Sequence, residues 1–277
     1  MTTQCAKTVR PLKAVFIAGI SGLALLSFAW AASGPPLDPC TAARERMVRE
    51  DIQSGKGGRT AIKDEAVLAA MLAVPRHEFV PGALPGGEGS RGLSRDPYGD
   101  HPLPIGHGQT ISQPYIVAYM TGMLKLKGES VVLEVGTGSG YQAAVCAEIA
   151  KHVYTIEIIE ALGEPAAKRL KDLGYENVTV KVGDGYFGWK EHGPFDAIIV
   201  TAAASHIPPP LIEQLKPGGR MAIPVGPPYR VQHLMLIEKH EDGSVTQKSV
   251  MPVRFVPLTR ASERAGAAES GTPSLGD

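Results

Sequence analysis

The sequence predicts an α/β fold: a doubly wound, mostly parallel β-sheet with an antiparallel C-terminal hairpin and added N-terminal helices. Three observations support this prediction. Short apolar runs alternate with helical segments between residues 131 and 225, which is typical of βαβ units. The apolar run 131–135 leads directly into a glycine turn and a helix. Two later runs flank Glu241-Asp242-Gly243, as the strands of a hairpin flank a turn.

The N-terminal residues differ in composition from the rest of the chain. Lys7, Arg10 and Lys13 precede an apolar run that ends in Ala29-Trp30-Ala31, a small-x-small cleavage pattern. We interpret residues 1–31 as a secretory signal peptide. Cleavage and retention as an uncleaved anchor both place the folded part outside the cytoplasm, with the periplasm as the expected compartment. A mistaken upstream start codon is the third alternative.

The remaining chain divides into a short linker, one folded domain and a tail. Residues 32–43 are predicted to be a Pro-rich linker, residues 44–260 the domain, and residues 261–277 a disordered tail of small and polar residues. Helices are predicted over 41–52, 64–74 and 113–126. Segment 81–108 is rich in Gly and Pro and is predicted to be a loop over the active site.

The sheet is predicted from the segments that follow, in chain order. Strands are expected at 131–135, 153–157, 178–182, 195–200 and 220–225, helices after the glycine turn and at 161–173 and 209–215, and the hairpin at 231–239 and 244–256. Lys216-Pro217-Gly218-Gly219 is expected to be a helix stop and turn before a strand.

Composition narrows the function classes. Lys plus Arg and Asp plus Glu each total 28, and no basic stripe is present, which argues against a nucleic-acid partner. No spacing of metal ligands and no heptad is present, so we expect a metal-free monomer. Cys146 is expected to be buried and unreactive on a helix, and a disulfide between Cys40 and Cys146 is the alternative.

The glycine turn carries the first functional signal. Gly136, Gly138 and Gly140 allow the backbone to turn tightly against a ligand, and the next helix directs its free N–H groups at the same place. Such turns bind nucleotide-like cofactors in open α/β sheets. Because Tyr141 stands where a dinucleotide fingerprint needs its last glycine, the cofactor is expected to be of another kind. A purely structural turn is the alternative.

Three carboxylates accompany this turn. Glu134 lies in the strand before it, and Glu157 ends the next strand, where a carboxylate can accept both ribose hydroxyls. Asp184 follows the third strand and is expected to accept from an adenine amine, with a plain Asp-Gly turn as the alternative. The pattern Glu-x-Gly-x-Gly-x-Gly followed by an acidic strand end resembles an S-adenosylmethionine methyltransferase.

Further motifs lie on both sides of the glycine turn. They are Val74-Pro75-Arg76-His77, Tyr98-Gly99-Asp100, Gln109-Thr110-Ile111-Ser112-Gln113-Pro114, Gly183-Asp184-Gly185-Tyr186 and Phe255-Val256-Pro257-Leu258-Thr259. Together they resemble the protein-L-isoaspartate O-methyltransferase family, from about residue 44 to residue 259. The resemblance implies that 44–260 is a Rossmann-like methyltransferase domain.

The resemblance also implies an activity, that of a protein-L-isoaspartate(D-aspartate) O-methyltransferase. Such an enzyme transfers a methyl group from S-adenosyl-L-methionine to the free α-carboxylate of L-isoaspartyl residues in damaged peptides and proteins. The ester closes to a succinimide that reopens partly as normal aspartate, which starts repair. The resemblance implies Ser112 as the active-site residue, and we expect it to position the substrate because the sequence places no base beside it.

The cofactor is expected to be bordered by residues from both sets of motifs. They are Thr110, Ile111, Gln113, Glu134, Gly136, Thr137, Gly138, Gly140, Glu157, Asp184, Gly185 and Thr259.

Two other functions remain open at this point. One is an exported, non-catalytic module that binds damaged protein, although the complete set of carboxylates argues against it. The other is a methyltransferase with a different substrate. Thr201-Ala202-Ala203-Ala204 stands where amino-directed nucleic-acid enzymes have an Asn/Asp-Pro-Pro-Tyr-like motif, so a flipped base is not the expected substrate. Most of the family is cytoplasmic, which makes the cytoplasm the alternative compartment and leaves open how an exported enzyme obtains its cofactor.

Overall fold

A computed structural model describes residues 39–83 and 96–261 of the 277-residue chain. The predicted signal peptide, most of the predicted linker, residues 84–95 of the predicted loop and the tail beyond residue 261 lie outside the described residues. Within the described ranges, no helix has both the length and the apolarity needed to cross a bilayer.

The described elements follow one another in an alternating order. They are α1 (Pro39–Arg46), α2 (Glu65–Ala73), β1 (Leu103–Gly106), β2 (Gln109–Ile111), α3 (Pro114–Leu124), β3 (Val131–Val135), α4 (Tyr141–Ile149), β4 (His152–Glu157), α5 (Glu160–Asp172), β5 (Val178–Val182), β6 (Phe195–Val200), α6 (Pro209–Glu213), β7 (Leu215–Val225), β8 (Gln232–Lys239) and β9 (Val245–Val253).

A seven-stranded sheet lies at the centre of the molecule, in the order β5-β4-β3-β6-β7-β8-β9. The first five strands of this order pair in parallel, and β8 and β9 add antiparallel strands at one end. The order along the chain reverses between β3 and β6, which is where open α/β sheets form a ligand crevice. The predicted fold class is therefore confirmed.

Apolar side chains are buried on both faces of this sheet. Helices α2 to α5 pack on one face against residues such as Val132 and Val153. On the other face, α6 and short 3-10 turns cover Leu133, Val135 and Ile156. Burial on both faces explains why these strands are almost continuously apolar in the sequence.

Two segments differ in kind from the sequence prediction. Lys216-Pro217-Gly218-Gly219 lies inside β7 and forms a bulge opposite β6, because Phe195 pairs with Leu215 while Ala197 pairs with Arg220. Helix α1 begins at Pro39, so residues 39–43 are helical and do not belong to an irregular linker. It continues as a π-helix over Met47–Gln53.

The segment before α3, predicted to be a loop, contains an antiparallel hairpin. Strands β1 and β2 pair with each other, and the turn between them uses left-handed backbone at Gly106, His107 and Gly108. The hairpin places Thr110 and Ser112 beside the carboxyl end of β3, as the clefts described below show.

Cys146 is a free thiol, fully buried in α4, so the alternative disulfide with Cys40 is not formed. Burial in an apolar environment raises the pKa of this thiol to about 12. The expectation that this cysteine is buried is confirmed.

Candidate active site

A cleft opens at the carboxyl ends of β3, β4 and β6, with a space of about 550 Å³ between its walls. We call it the strand-end cleft. Its walls come from the glycine turn, from the ends of β4 and β6, and from the C-terminal segment, and include Gly136, Gly138, Glu157, Gly185, Thr201 and Thr259. The position is the one that the reversal in strand order predicts for a ligand.

The glycine turn is fixed to the strands on both sides. The Gly136 N–H donates to Ile156 O at 2.8 Å, and the Thr201 hydroxyl donates to Gly136 O at 2.6 Å. Gly136 has a φ of 99°, and a Cβ there would lie 2.4 Å from Thr201 Oγ1. Only glycine fits at this position, for both conformational and steric reasons.

The other two glycines of the turn have different surroundings. The Gly138 N–H donates to Glu157 Oε2 at 2.7 Å, and Gly138 lines the strand-end cleft. Gly140 is the N-cap residue of α4, and a Cβ on it would lie 3.0 Å from Leu170 Cδ1. Gly140 is not among the lining residues of the clefts, so the structure gives it a packing role against α5.

Glu157 is 5% exposed at the floor of the strand-end cleft. Its two oxygens accept from the backbone N–H groups of Gly138 at 2.7 Å and Ile159 at 2.9 Å. These bonds hold the carboxylate in one orientation. Each oxygen has a further lone pair that can accept a ligand hydroxyl.

Glu134 is fully buried and lines a second, smaller space of about 320 Å³, which we call the inner cleft. Its Oε2 accepts from Thr155 Oγ1 at 2.5 Å, and within the described residues its Oε1 has no hydrogen-bond partner. The pKa of this carboxyl is raised to about 8, mainly by burial; the Thr155 hydroxyl acts to lower it and the nearby Glu157 adds to the rise. A buried acid with an unused oxygen suits a cationic or hydrogen-bond-donating ligand group.

A chain of hydroxyls supports Glu134. Thr155 lies directly opposite Glu134 in the register of β3 and β4, and its hydroxyl is 2.6 Å from that of Thr137. Thr137 lines the inner cleft, as expected for a residue of the glycine turn. Sequence reasoning missed Thr155, although a polar residue in a buried strand next to Glu134 was an available signal.

Asp184 is engaged by protein groups rather than open to the cleft. Its Oδ1 accepts from Tyr186 N at 3.0 Å, and its Oδ2 accepts from Arg260 Nε at 3.2 Å and from Ala261 N at 3.1 Å. The neighbouring Gly185 does line the strand-end cleft, and a Cβ there would lie 2.5 Å from Val135 Cγ1. Asp184 thus anchors a C-terminal contact in this structure.

A third space, the outer cleft, opens toward solvent between α3 and the end of β9, with about 1020 Å³ between its walls. Its lining includes Arg59, Ser112, Tyr115, Val231, Arg254 and Phe255. Ser112 borders both the outer and the inner cleft, and Thr110 borders all three clefts. The hairpin β1–β2 therefore brings these two hydroxyls to the junction of the three spaces.

No base is hydrogen-bonded to Ser112 among the residues that the structure describes. No hydrogen bond to its hydroxyl is formed within residues 39–83 and 96–261, and the neighbouring Gln113 amide is used elsewhere. That amide donates to Asp100 Oδ2 at 2.9 Å and to Asp100 O at 3.0 Å. Gln113 lines the outer cleft and neither the strand-end cleft nor the inner cleft. Ile111 lines the inner cleft.

Asp100 organises the start of α3, and sequence reasoning gave it no role. Its Oδ1 accepts from Tyr115 N at 2.9 Å, and its Oδ2 pairs with Arg59 Nη1 at 2.5 Å. The Arg59 guanidinium lies 4.2 Å from the centre of the Tyr115 ring. This network fixes the segment that carries Ser112 against the outer cleft.

Sequence comparison identifies the family. A profile of the protein-L-isoaspartate(D-aspartate) O-methyltransferases matches residues 44–263. The chain belongs to this family. A protein-L-isoaspartate O-methyltransferase 2 of Syntrophobacter fumaroxidans is 59% identical over 86% of this chain and 94% of its own length. A protein-L-isoaspartate O-methyltransferase 1 of Nitrosospira multiformis is 61% identical over 78% of this chain and 87% of its own length.

Solved structures agree with this assignment. A protein-L-isoaspartate O-methyltransferase superposes on 77% of this chain with a TM-score of 0.66 and 30% identity, and this chain spans 65% of that one. A Plasmodium falciparum candidate member of the family, in complex with S-adenosyl-L-homocysteine, superposes on 79% of this chain and 98% of its own, with a TM-score of 0.63 and 26% identity. In the part of our chain that the structure describes, no group of three His, Cys, Asp or Glu side chains is arranged to hold a metal.

Proposed function

We propose that this protein transfers a methyl group from S-adenosyl-L-methionine to the free α-carboxylate of L-isoaspartyl residues in damaged peptides and proteins. Family membership supports the enzyme class, the cofactor and the substrate that the sequence predicts. The observation that carries the proposal is the junction of three clefts at Thr110 and Ser112. It gives a cofactor and a peptide separate spaces that meet at one place.

The residues at the inner and strand-end clefts fit this cofactor. The unused oxygen of buried Glu134 suits its ammonium group, and Glu157 at the floor of the strand-end cleft suits its ribose hydroxyls. Gly136 and Gly185 line the strand-end cleft, and each packs so closely against a neighbouring side chain that a Cβ would clash. Thr259 forms part of the opposite wall. The cofactor, when bound, supplies a methyl group activated by a sulfonium.

Ser112 orients the acceptor and does not attack it. A carboxylate is already ionised at neutral pH, so it needs no general base to become a nucleophile. The requirement is to hold one of its oxygens in line with the methyl group and to keep water away. A hydroxyl at the boundary of the outer and inner clefts can donate to the carboxylate as it enters. As a neutral donor it orients the anion without overstabilising it.

The test is transfer of a radiolabelled methyl group from S-adenosylmethionine to an isoaspartyl peptide and to its aspartyl twin. We expect base-labile label in the isoaspartyl peptide alone. Label in both peptides, or in neither while another acceptor is methylated, would show a different substrate. Binding of the isoaspartyl peptide without transfer would indicate a non-catalytic module.

We also propose that residues 1–31 direct export and that the mature protein is a monomer without a nucleic-acid partner. The basic start, the apolar run and Ala29-Trp30-Ala31 support export. The even charge balance argues against a nucleic-acid partner, and the lack of a heptad pattern in the sequence supports a monomer. N-terminal sequencing of the protein recovered from the periplasm would give a mature end near residue 32. Recovery of the intact N-terminus from the cytoplasm would contradict export.

A further inference from the structure

The C-terminal segment forms one wall of the strand-end cleft. Ala203, just beyond β6, donates its N–H to Val256 O at 2.8 Å and accepts from the Leu258 N–H at 2.8 Å. Thr259, the next residue, lines the cleft. Main-chain hydrogen bonds therefore fix residues 256–258 to the sheet, and the chain leaves this ladder just before Arg260.

Arg260 connects this wall to the opposite side of the cleft. Its Nε lies 3.2 Å from Asp184 Oδ2, and its guanidinium carbon lies 3.5 Å from the centre of the Tyr186 ring and 5.0 Å from that of Phe187. Ala261 N donates to the same Asp184 oxygen at 3.1 Å. Asp184 and Tyr186 flank Gly185, which lines the cleft, so the contact spans the end of the cleft beside β5.

The contact is partly desolvated and partly open. The side chains of Arg260 and Asp184 are 26% and 9% exposed, whereas Phe187 on the outer side is 56% exposed. A charge pair that stacks on an aromatic ring in this setting is stronger than an ordinary surface pair. Side chains form most of this contact, so it can separate more easily than the main-chain hydrogen bonds at Ala203.

We propose that Arg260 is a positioning residue that latches the C-terminal segment across the strand-end cleft, through Asp184 and Tyr186, and so slows release of the cofactor. This inference rests on the proposed use of that cleft for S-adenosylmethionine. Asp184 serves as the acceptor of the latch. Release of S-adenosylhomocysteine and entry of the next S-adenosylmethionine require this contact to open.

The test measures the dissociation rate and the Kd of S-adenosylhomocysteine, which need no peptide substrate. The variants are R260A, R260K and D184N, with R220A as the matched control. Arg220 pairs with Glu238 at similar exposure, 32% and 34%, and does not line the clefts. For R260A we expect dissociation and Kd to rise about tenfold, with the KM for an isoaspartyl peptide unchanged. R260K, which keeps the charge but loses the planar stack, should fall between R260A and the wild type.

Salt dependence separates a latch from a general structural effect. Raising the NaCl concentration from about 0.05 to about 0.5 M should speed release from the wild type and from R220A, and should have little effect on R260A. Equal dissociation rates in the wild type, R260A and D184N would overturn the latch. Tight binding of S-adenosylhomocysteine without methylation of isoaspartyl peptides would overturn the proposed function and leave the latch measurable. A wild type that does not bind S-adenosylhomocysteine would overturn both.

Discussion

The inner cleft and the β5 end of the strand-end cleft are held together by different kinds of contact. At the inner cleft, Glu134 and Thr155 are fully buried, and Gly136 has no room for a Cβ. At the β5 end, Asp184 and Arg260 meet through side chains that approach from segments 76 residues apart in the sequence. The first region is fixed by backbone packing within the sheet. The second is closed by a contact that can separate.

This difference corresponds to the tasks that we assign to the two regions. Methyl transfer requires the reacting atoms to be held within a fraction of an ångström, which rigid strands and a tightly packed turn provide. Cofactor exchange requires an opening, which a contact formed mainly by side chains at the edge of the cleft can provide. Changes at the inner cleft should therefore abolish function, and changes at the β5 end should alter rates.

The largest effect is expected for Gly136→Ala. The new Cβ would lie 2.4 Å from Thr201 Oγ1 at a φ of 99°, so the turn or Thr201 must shift and the wall of the cleft changes shape. We expect the affinity for S-adenosylhomocysteine to fall about a hundredfold or more by calorimetry. Gly243→Ala is the matched control, because Gly243 has a φ of 83° and no atom within 4 Å of its Cβ position. Equal affinities in the two variants would contradict a sterically fixed inner cleft.

Ser112→Ala tests the junction of the inner and outer clefts. Removing a hydroxyl that orients the acceptor should lower kcat about a hundredfold and leave the Kd of S-adenosylhomocysteine nearly unchanged. Ser205→Ala removes an exposed hydroxyl that bonds to His206 and serves as the control. Unchanged turnover in Ser112→Ala would remove this residue from the mechanism.

Glu134→Gln should change the pH dependence of stability. The pKa of this carboxyl is raised from 4.5 to about 8 by burial, so the folded state favours the neutral form. Its contribution to stability is therefore complete below pH 4.5 and is lost as the pH rises toward 8.

The free energy of unfolding of Glu134→Gln relative to the wild type should rise through this pH range, by a few kcal/mol in total, and stay level above it. Denaturant titrations at several pH values measure this, with exposed Glu160→Gln as the control for net charge. A difference that does not vary with pH would show that Glu134 is not held neutral.

The smallest effect is expected for Asp100→Asn at the outer cleft. The amide keeps most of the shape but loses the charge that Arg59 faces and one acceptor shared with Gln113. We expect a loss of about 1 kcal/mol in stability and a severalfold rise in the KM for the peptide, with cofactor affinity unchanged. A loss of cofactor affinity in this variant would contradict the account, because it would show that a change at the outer cleft alters binding at the inner cleft.

Local patterns were sufficient to predict the centre of the molecule. Strands β5 and β6 have the predicted limits, because each is a short apolar run between clear breaks. The glycine turn and Glu157 lie where predicted, because their positions follow from the local sequence at the end of a strand. The bulge in β7 was missed because Pro and Gly are typical of turns, and only pairing with β6 makes this segment a strand.

The missed parts of the site depend on contacts between distant segments. Strands β1 and β2 have four and three residues, too few to show periodicity. The Thr201 hydroxyl, just after β6, donates to Gly136 O, just after β3. This hydrogen bond depends on the pairing of the two strands, which the sequence does not show. The contact between Asp184 and Arg260 was missed, because nothing in the sequence links these two residues.

The most direct test of the central claim is a crystal structure of the protein with S-adenosylhomocysteine and an isoaspartyl peptide. The account predicts the cofactor in the inner and strand-end clefts and the peptide in the outer cleft. The free α-carboxylate should accept a hydrogen bond from Ser112 Oγ and point at the sulfur. A peptide bound elsewhere, or a Ser112 hydroxyl turned away from the carboxylate, would contradict it.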